Sequence, residues 1–136
     1  MAEENKYPLD YERRFGGVAK LYTKAGAERL KNAHVCVVGL GGVGSWAAEA
    51  LARTAVGRIT LVDLDNVAES NTNRQLQAMT GVYGKPKVDA TAERIHAINP
   101  LCDCRKIEDF IEVETAESLL PEDAIILDQS SYGGRL

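Results

Sequence analysis

No stretch of this sequence approaches the ~18 consecutive apolar residues of a membrane-spanning helix. The opening residues Met1 to Lys6 are polar and acidic, which excludes the charged start of a secretory signal. Cysteine is scarce. The three, Cys36, Cys102 and Cys104, are an odd number without framework spacing. That pattern fits a reducing cytoplasm and argues against a disulfide-stapled fold. There is no Cys-x-x-Cys pair, and a lone Cys102-x-Cys104 puts two thiols on one strand face, so a four-cysteine zinc site is excluded. Repeats, low-complexity tracts and linkers are absent too. An excess of positive charge is also missing, because the net charge is −4. A protein that grips phosphate backbones needs a basic surface. An RNA substrate would therefore need a local patch. Arg13, Arg14, Lys20, Lys24, Arg29 and Lys31 supply one candidate, and a solvated helix face is the plainer account of them.

What is present suffices for one globular core: 136 residues, 45% hydrophobic and 26% charged. Residues 1–10 read as a flexible tail. The apolar spacing from Leu21 to Leu30 predicts a short helix. Val35 to Val38 is a compact β-branched run ending in glycines, which reads as a buried parallel strand. Val43 to Thr54 is alanine-rich with helical periodicity. Ile59 to Val62 reads as a second strand ending at Asp63. Lys85 to Asn99 predicts a helix with Pro86 in its first turn and an apolar stripe of Val88, Ala92, Ile95 and Ile98. Cys104 to Ile107, Glu114 to Leu120 and Ala124 to Leu127 read as strand, helix and strand, the last ending at Asp128. Strands alternating with helices imply a Rossmann-like α/β fold, a mostly parallel sheet with helices on both faces and right-handed crossovers. In such sheets the ligand lies at the carboxyl ends of the strands.

Gly39-Leu40-Gly41-Gly42-Val43-Gly44 matches G-x-G-x-x-G between the first strand and the next helix. Glycine lets backbone turn tightly and approach phosphate oxygens, and the following helix aims free N–H groups at them. Asp63 stands 19 residues beyond Gly44, where a carboxylate accepts ribose hydroxyls. The fingerprint alone fits a dinucleotide as well as ATP. The polar segment Asp63 to Gln75 decides for ATP. Within it Arg74 offers a planar fork for phosphate oxygens, and Lys87 on the next helix adds a point charge. Two cations suit a reaction in which pyrophosphate leaves, because its growing charge must be met. Asp65 and Asp128 are carboxylates able to hold Mg2+ through water.

Together Gly39–Gly44, Asp63-x-Asp65, Asn71-x-Asn73-Arg74-Gln75 and Pro86-Lys87-Val88 resemble the ThiF/MoeB/HesA family, relatives of the ubiquitin-activating enzymes. Arg14 to Gly17, Gly42 to Arg53 with its Ser45-Trp46, and Asn71-Thr72-Asn73-Arg74-Gln75 are most similar to the branch of tRNA threonylcarbamoyladenosine dehydratases. The resemblance covers roughly residues 11–128, the N-terminal half of the family's adenylation domain. It implies ATP-dependent adenylation of the threonylcarbamoyl carboxylate on tRNA, then ring closure by an internal nitrogen with net loss of water. The alternative acceptor is the C-terminus of a ubiquitin-like sulfur carrier, which would bring a cysteine desulfurase or sulfur-acceptor system as partner.

The same resemblance implies residue roles. Gly39, Gly41, Gly42 and Gly44 hold the phosphates, and Asp63 takes the ribose, with Asp65 and Gln75 beside it. Asn71, Arg74 and Lys87 contact phosphates and stabilise departing pyrophosphate. Asp128 assists Mg2+. Arg14 or Arg13 crosses a homodimer interface to a neighbour's ATP. The sequence departs from the family after Asp128. Residues 129–136 have turn-like composition and do not match, and the family's chains are about twice as long, in line with ~250-residue α/β domains. The missing half supplies sheet, dimer interface and acceptor site, so this half is expected to need another chain over its exposed sheet edge. Of the remaining residues, Cys36 and Trp46 read as core, His34 and His96 as ordinary, and Glu108, Asp109 and Phe110 as surface loop.

Overall fold

The structure, a computed structural model, describes residues 9–130. The expected tails at 1–8 and 131–136 lie outside the described residues. The elements in chain order are α1 (Tyr11–Asn32), β1 (His34–Val38), α2 (Gly44–Arg53), β2 (Arg58–Val62), a 3₁₀ turn (Glu69–Asn71), α3 (Lys87–Ile98), β3 (Asp103–Ile107), α4 (Val113–Leu119) and β4 (Ile125–Asp128). The four strands form one sheet in the order β3-β2-β1-β4, and every pairing is parallel. The expected Rossmann-like architecture is therefore present. The chain crosses from β1 outward to β2 and β3, then returns to the other side of β1 with β4. That reversal puts the crevice at the carboxyl ends of β1 and β4.

Alternation along β1 explains the two apolar layers. Val35 and Val37 face α2 and α3 in a core with Leu40, Ala48, Ala52, Ile59, Leu61, Val88 and Ile95. Cys36, Val38 and Val62 face the opposite side, where the partly buried Ile107, Ile111, Leu120 and Ala124 cover them. β1 is buried along its whole length. The edge strand β4 is not: Ile125 remains 63% exposed. Burial pushes the Cys36 and Cys102 thiols up to about 11 and that of Cys104 up to about 12. The reactive species is the thiolate. All three cysteines should therefore react with a disulfide reagent at pH 8 at least ~100-fold more slowly in the native protein than in denaturant. Fast native labelling of any one would overturn that burial.

α1 differs most from its sequence expectation. The spacing predicts a short helix over 21–30, yet helical structure begins at Tyr11. Asp10 caps it by accepting the Arg13 N–H at 3.1 Å, and Phe15 is buried. Gly16 and Gly17 obscure this stretch, since each costs about 1 kcal/mol in a helix relative to alanine. The span is not straight. Thr23 sits at φ 69°, and its hydroxyl accepts the Gly26 N–H at 3.2 Å, an N-cap for the second half. The ammonium of Lys31 lies 5.0 Å from the centre of the Tyr11 ring. Residues that far apart on a straight helix would be ~30 Å apart. The two halves therefore fold back on one another at Thr23. Arg13, Lys20, Lys24 and Arg29 are left on exposed positions of this hairpin.

The two histidines occupy ordinary places. His34 is buried at the start of β1, with Nε2 2.7 Å from the Thr60 hydroxyl and Nδ1 3.2 Å from the Asp123 carboxylate. Asp123 also accepts from Arg58 at 2.9 Å. This cluster ties the β4 approach to the amino edge of the sheet, the edge away from the glycine loop. His96 is exposed on α3.

Candidate nucleotide site

The glycine loop leaves β1 at Val38 and enters α2 at Gly44. Its four glycines divide by what surrounds them. A Cβ on Gly44 would stand 1.7 Å from the Gly39 carbonyl oxygen, and one on Gly39, at φ +90°, would stand 2.7 Å from the Gln129 carbonyl oxygen. Protein backbone alone demands glycine at both. A Cβ on Gly41 would meet nothing nearer than Gln75 Nε2 at 3.7 Å, and one on Gly42 nothing nearer than Arg74 Cγ at 3.5 Å. These are ordinary contacts, so the fold does not require glycine there. Gly42 is exposed at the loop surface, where a ligand's phosphate oxygens would approach backbone.

Asp63 fixes the loop from β2. One carboxylate oxygen accepts the Leu40 N–H at 2.8 Å and the other accepts the Asp65 N–H at 2.8 Å. The carboxylate is thus oriented by backbone on both sides, and its remaining lone pairs suit a diol. A cavity of about 250 Å³ opens here, lined by Gly39, Asp63, Asp65, Asp109, Phe110 and Ser130 among others. Asp109 and Phe110, read from sequence as surface loop, are part of its wall. The signal available was position: they follow β3 at the carboxyl edge, where loops line ligand crevices. Two larger hollows, near Arg14, Arg53 and Arg94 and near Tyr22 and Arg29, lie among helices away from the glycine loop.

The polar segment after Asp63 folds over the loop. The Asn71 side chain accepts the Ala68 N–H at 3.0 Å, closing the 3₁₀ turn. Its carbonyl accepts from the N–H groups of Arg74 and Gln75. Asn71 thereby shapes the turn that carries Arg74. Gln75 is buried beside Gly41, with its side-chain oxygen unpaired. Gln77, also buried, donates to the Leu40 carbonyl at 3.0 Å. Sequence reading missed Gln77, because nothing in its spacing marks a loop brace. Arg74 lies along Gly42, and its guanidinium donates to the Ser70 carbonyl and to Asn73. Trp46 is no core residue. It is 52% exposed, and its indole N–H donates to the Arg74 carbonyl at 2.9 Å.

Lys87 begins α3, and its N–H donates to the carbonyl of Asp65, one of the residues that line the cavity. The residue is only 6% exposed, and its ammonium has no hydrogen-bond or ion-pair partner among the described residues. An anion at this position would give the ammonium a counter-charge. Asp128 pairs in register with Val38, but its carboxylate accepts from the Ser130 N–H and hydroxyl. Among the described residues no group of three or more His, Cys, Asp or Glu is placed to hold a metal ion. Arg14 is not brought to this site. Its guanidinium donates to the Ile98 carbonyl at the C-terminal end of α3, roughly 16 Å along the helix from Lys87. No helix of the described residues is long and apolar enough to cross a membrane.

This arrangement has close counterparts among known proteins. The chain is 50% identical over 111 residues to the tRNA threonylcarbamoyladenosine dehydratase of Haemophilus influenzae, covering 82% of this chain and 42% of that protein. It is 37% identical over 103 residues to the molybdopterin-synthase adenylyltransferase of Salmonella typhimurium, covering 76% of this chain and 41% of that protein. Its fold superposes on the Escherichia coli tRNA N6-threonylcarbamoyladenosine dehydratase TcdA in complex with ATP, with a TM-score of 0.84 and 45% identity over 88% of this chain and 49% of that one. The chain thus spans less than half the length of these relatives. The profile of the ThiF family matches residues 11–130, nearly the whole of the described structure, and the chain belongs to that family.

Proposed function

We propose that this chain is the ATP-binding half of an adenylating enzyme that activates the threonylcarbamoyl carboxylate of modified tRNA. The observation that carries this reading is the glycine loop braced by both carboxylate oxygens of Asp63 beside a cavity at the carboxyl ends of β1 and β2. Gly41 and Gly42 leave backbone open to phosphates, Asp63 offers its free lone pairs to the ribose, and Lys87 and Arg74 supply positive charge. In the proposed reaction a carboxylate oxygen attacks the α-phosphorus of ATP and pyrophosphate leaves. An internal nitrogen then displaces AMP from the acyl-adenylate, and the net change on the RNA is loss of water. Mg2+ accompanies the ATP and screens its phosphates. Asp65 and Asp128 are the carboxylates available to it, consistent with an ion that keeps most of its waters. The identity to tRNA-modifying relatives is higher than to molybdopterin-synthase adenylyltransferases, which favours tRNA over a sulfur carrier and its desulfurase as partner. Arg14, far from its own chain's cavity, could reach ATP only in a second protomer, so the active form is proposed to be a homodimer in the cytoplasm.

Thermal melting with ATP and Mg2+ against NAD tests the reading. A ligand held at a hundredfold excess over its dissociation constant adds about 2.7 kcal/mol, on the order of 10 °C for a domain of this size. ATP should give that increment and NAD should not. Asp63→Ala removes the brace on Leu40, so its own midpoint will fall, and the relevant quantity is the increment above it. That increment should vanish. A larger increment with NAD would sink the adenylation reading, and mass spectrometry for loss of water from modified tRNA distinguishes the tRNA acceptor from a protein one.

A further inference from the structure

The dipeptide Ser45-Trp46 opens α2, and both side chains reach outside the helix to the same neighbour. The Ser45 hydroxyl is buried, donates to the Gly41 carbonyl at 2.6 Å and accepts the Leu76 N–H at 3.2 Å. The Trp46 indole N–H donates to the Arg74 carbonyl at 2.9 Å. One residue therefore bolts the glycine loop to position 76, and the next bolts α2 to position 74. The side chain of Arg74, whose carbonyl takes the second bond, packs along Gly42. Trp46 is half-buried, so its ring contributes packing as well as one directed hydrogen bond. A phenylalanine of similar shape keeps much of the packing and cannot make the hydrogen bond.

We infer that Ser45 and Trp46 form a clamp that holds the Arg74 segment down on the glycine loop, with Trp46 as a positioning residue for Arg74. The inference rests on the ATP reading only for its consequence. The clamp itself is a property of the protein without ligand. A loop segment with few buried contacts opens locally at low free energy. Its residues 72–74 are exposed, so there the two bolts add to the Gln77 brace on the Leu40 carbonyl in keeping it closed. Loss of the indole N–H removes one neutral hydrogen bond, so opening should become about two- to tenfold more frequent.

The test uses Trp46→Phe, with Trp46→Leu as a second variant lacking the ring. Amide hydrogen exchange of the unliganded chain should speed about two- to tenfold at residues 71–77 in both, while exchange in β1 and β2 stays unchanged. Titration with ATP and Mg2+ should show a weaker dissociation constant by a similar factor. Trp46 is the chain's only tryptophan, so emission excited to select tryptophan reports this contact alone. Arg74→Ala keeps the carbonyl that Trp46 binds, so it should leave apo emission in place and abolish the change on adding ATP. Unchanged exchange at 71–77 in both Trp46 variants would overturn the clamp. Faster exchange there with no ATP binding by the parent chain would uphold the clamp and refute the ATP reading instead.

Discussion

Gly44→Ala should destabilise the chain by at least ~4 kcal/mol, whereas Gly42→Ala should change stability by less than ~1 kcal/mol. The two glycines stand two positions apart in one motif, yet they answer to different partners. The added methyl on Gly44 would overlap the Gly39 carbonyl oxygen at 1.7 Å and stand 3.3 Å from Gln129 Cβ. No rotamer relieves a clash between two backbone segments. Either α2 lifts from β1 or the loop unwinds. Lifting α2 opens the layer in which Ala48 and Ala52 are fully buried against Val37 and Leu40. Such interiors are close-packed, and forced separation is felt throughout them. The methyl on Gly42 would make only van der Waals contact with Arg74, at 3.5 to 3.8 Å. On the proposed ATP reading it would stand where a phosphate oxygen approaches backbone. Gly42→Ala should therefore melt like the parent and lose most of its stabilisation by ATP. Calorimetric melting of both variants with and without ATP separates these outcomes. An undamaged Gly44→Ala midpoint would show that the loop packs otherwise. A Gly42→Ala variant that keeps the full ATP increment would remove phosphate from that face of the loop.

The contrast shows which parts of the site sequence could reveal. The motif marks all four glycines alike, and only three-dimensional neighbours tell Gly39 and Gly44 from Gly41 and Gly42. The strands were legible because β-branched runs bounded by glycine and aspartate have few other uses. Asp63 was legible because its distance from the loop is set by one strand-helix-strand crossover. Trp46 was misread for a definable reason. A large aromatic in an alanine-rich helix reads as core, but the segment it touches lies 28 residues ahead, in a turn without periodicity. The first half of α1 was hidden by its glycines, and its fold-back by Thr23, since a positive φ at threonine has no sequence signature. Asp109 and Phe110 read as surface loop, and they are exposed. They line the cavity only because β3 delivers them to the carboxyl edge. Local patterns thus specified elements and the loop. Contacts made between distant turns specified the rest of the site.

Lys87→Met should act in opposite directions on the free and the liganded chain. Methionine keeps the length and apolar stem of lysine and removes the charge. Lys87 is 6% exposed and its ammonium has no partner among the described residues, so no fixed counter-ion meets its charge in the free chain. Removing it should raise the midpoint of the unliganded chain, by ~1 kcal/mol of stability. The same change should weaken ATP, because a charge-assisted hydrogen bond to phosphate contributes ~1.5–3 kcal/mol, or about 10- to 100-fold in affinity. If the charge also meets departing pyrophosphate, adenylate formation should fall further, by ~10²–10³ in kcat. The surface cation Lys85 is the control. It lies two residues away and is paired with Glu93 at 2.5 Å, so Lys85→Met should lose a pair worth little on an exposed surface and leave ATP binding alone. Melting curves and ATP titrations of the two variants decide the matter. A Lys87→Met chain less stable than the parent but with unaltered ATP affinity would mean that the ammonium serves the fold, and that another cation, Arg74 first, meets the phosphates.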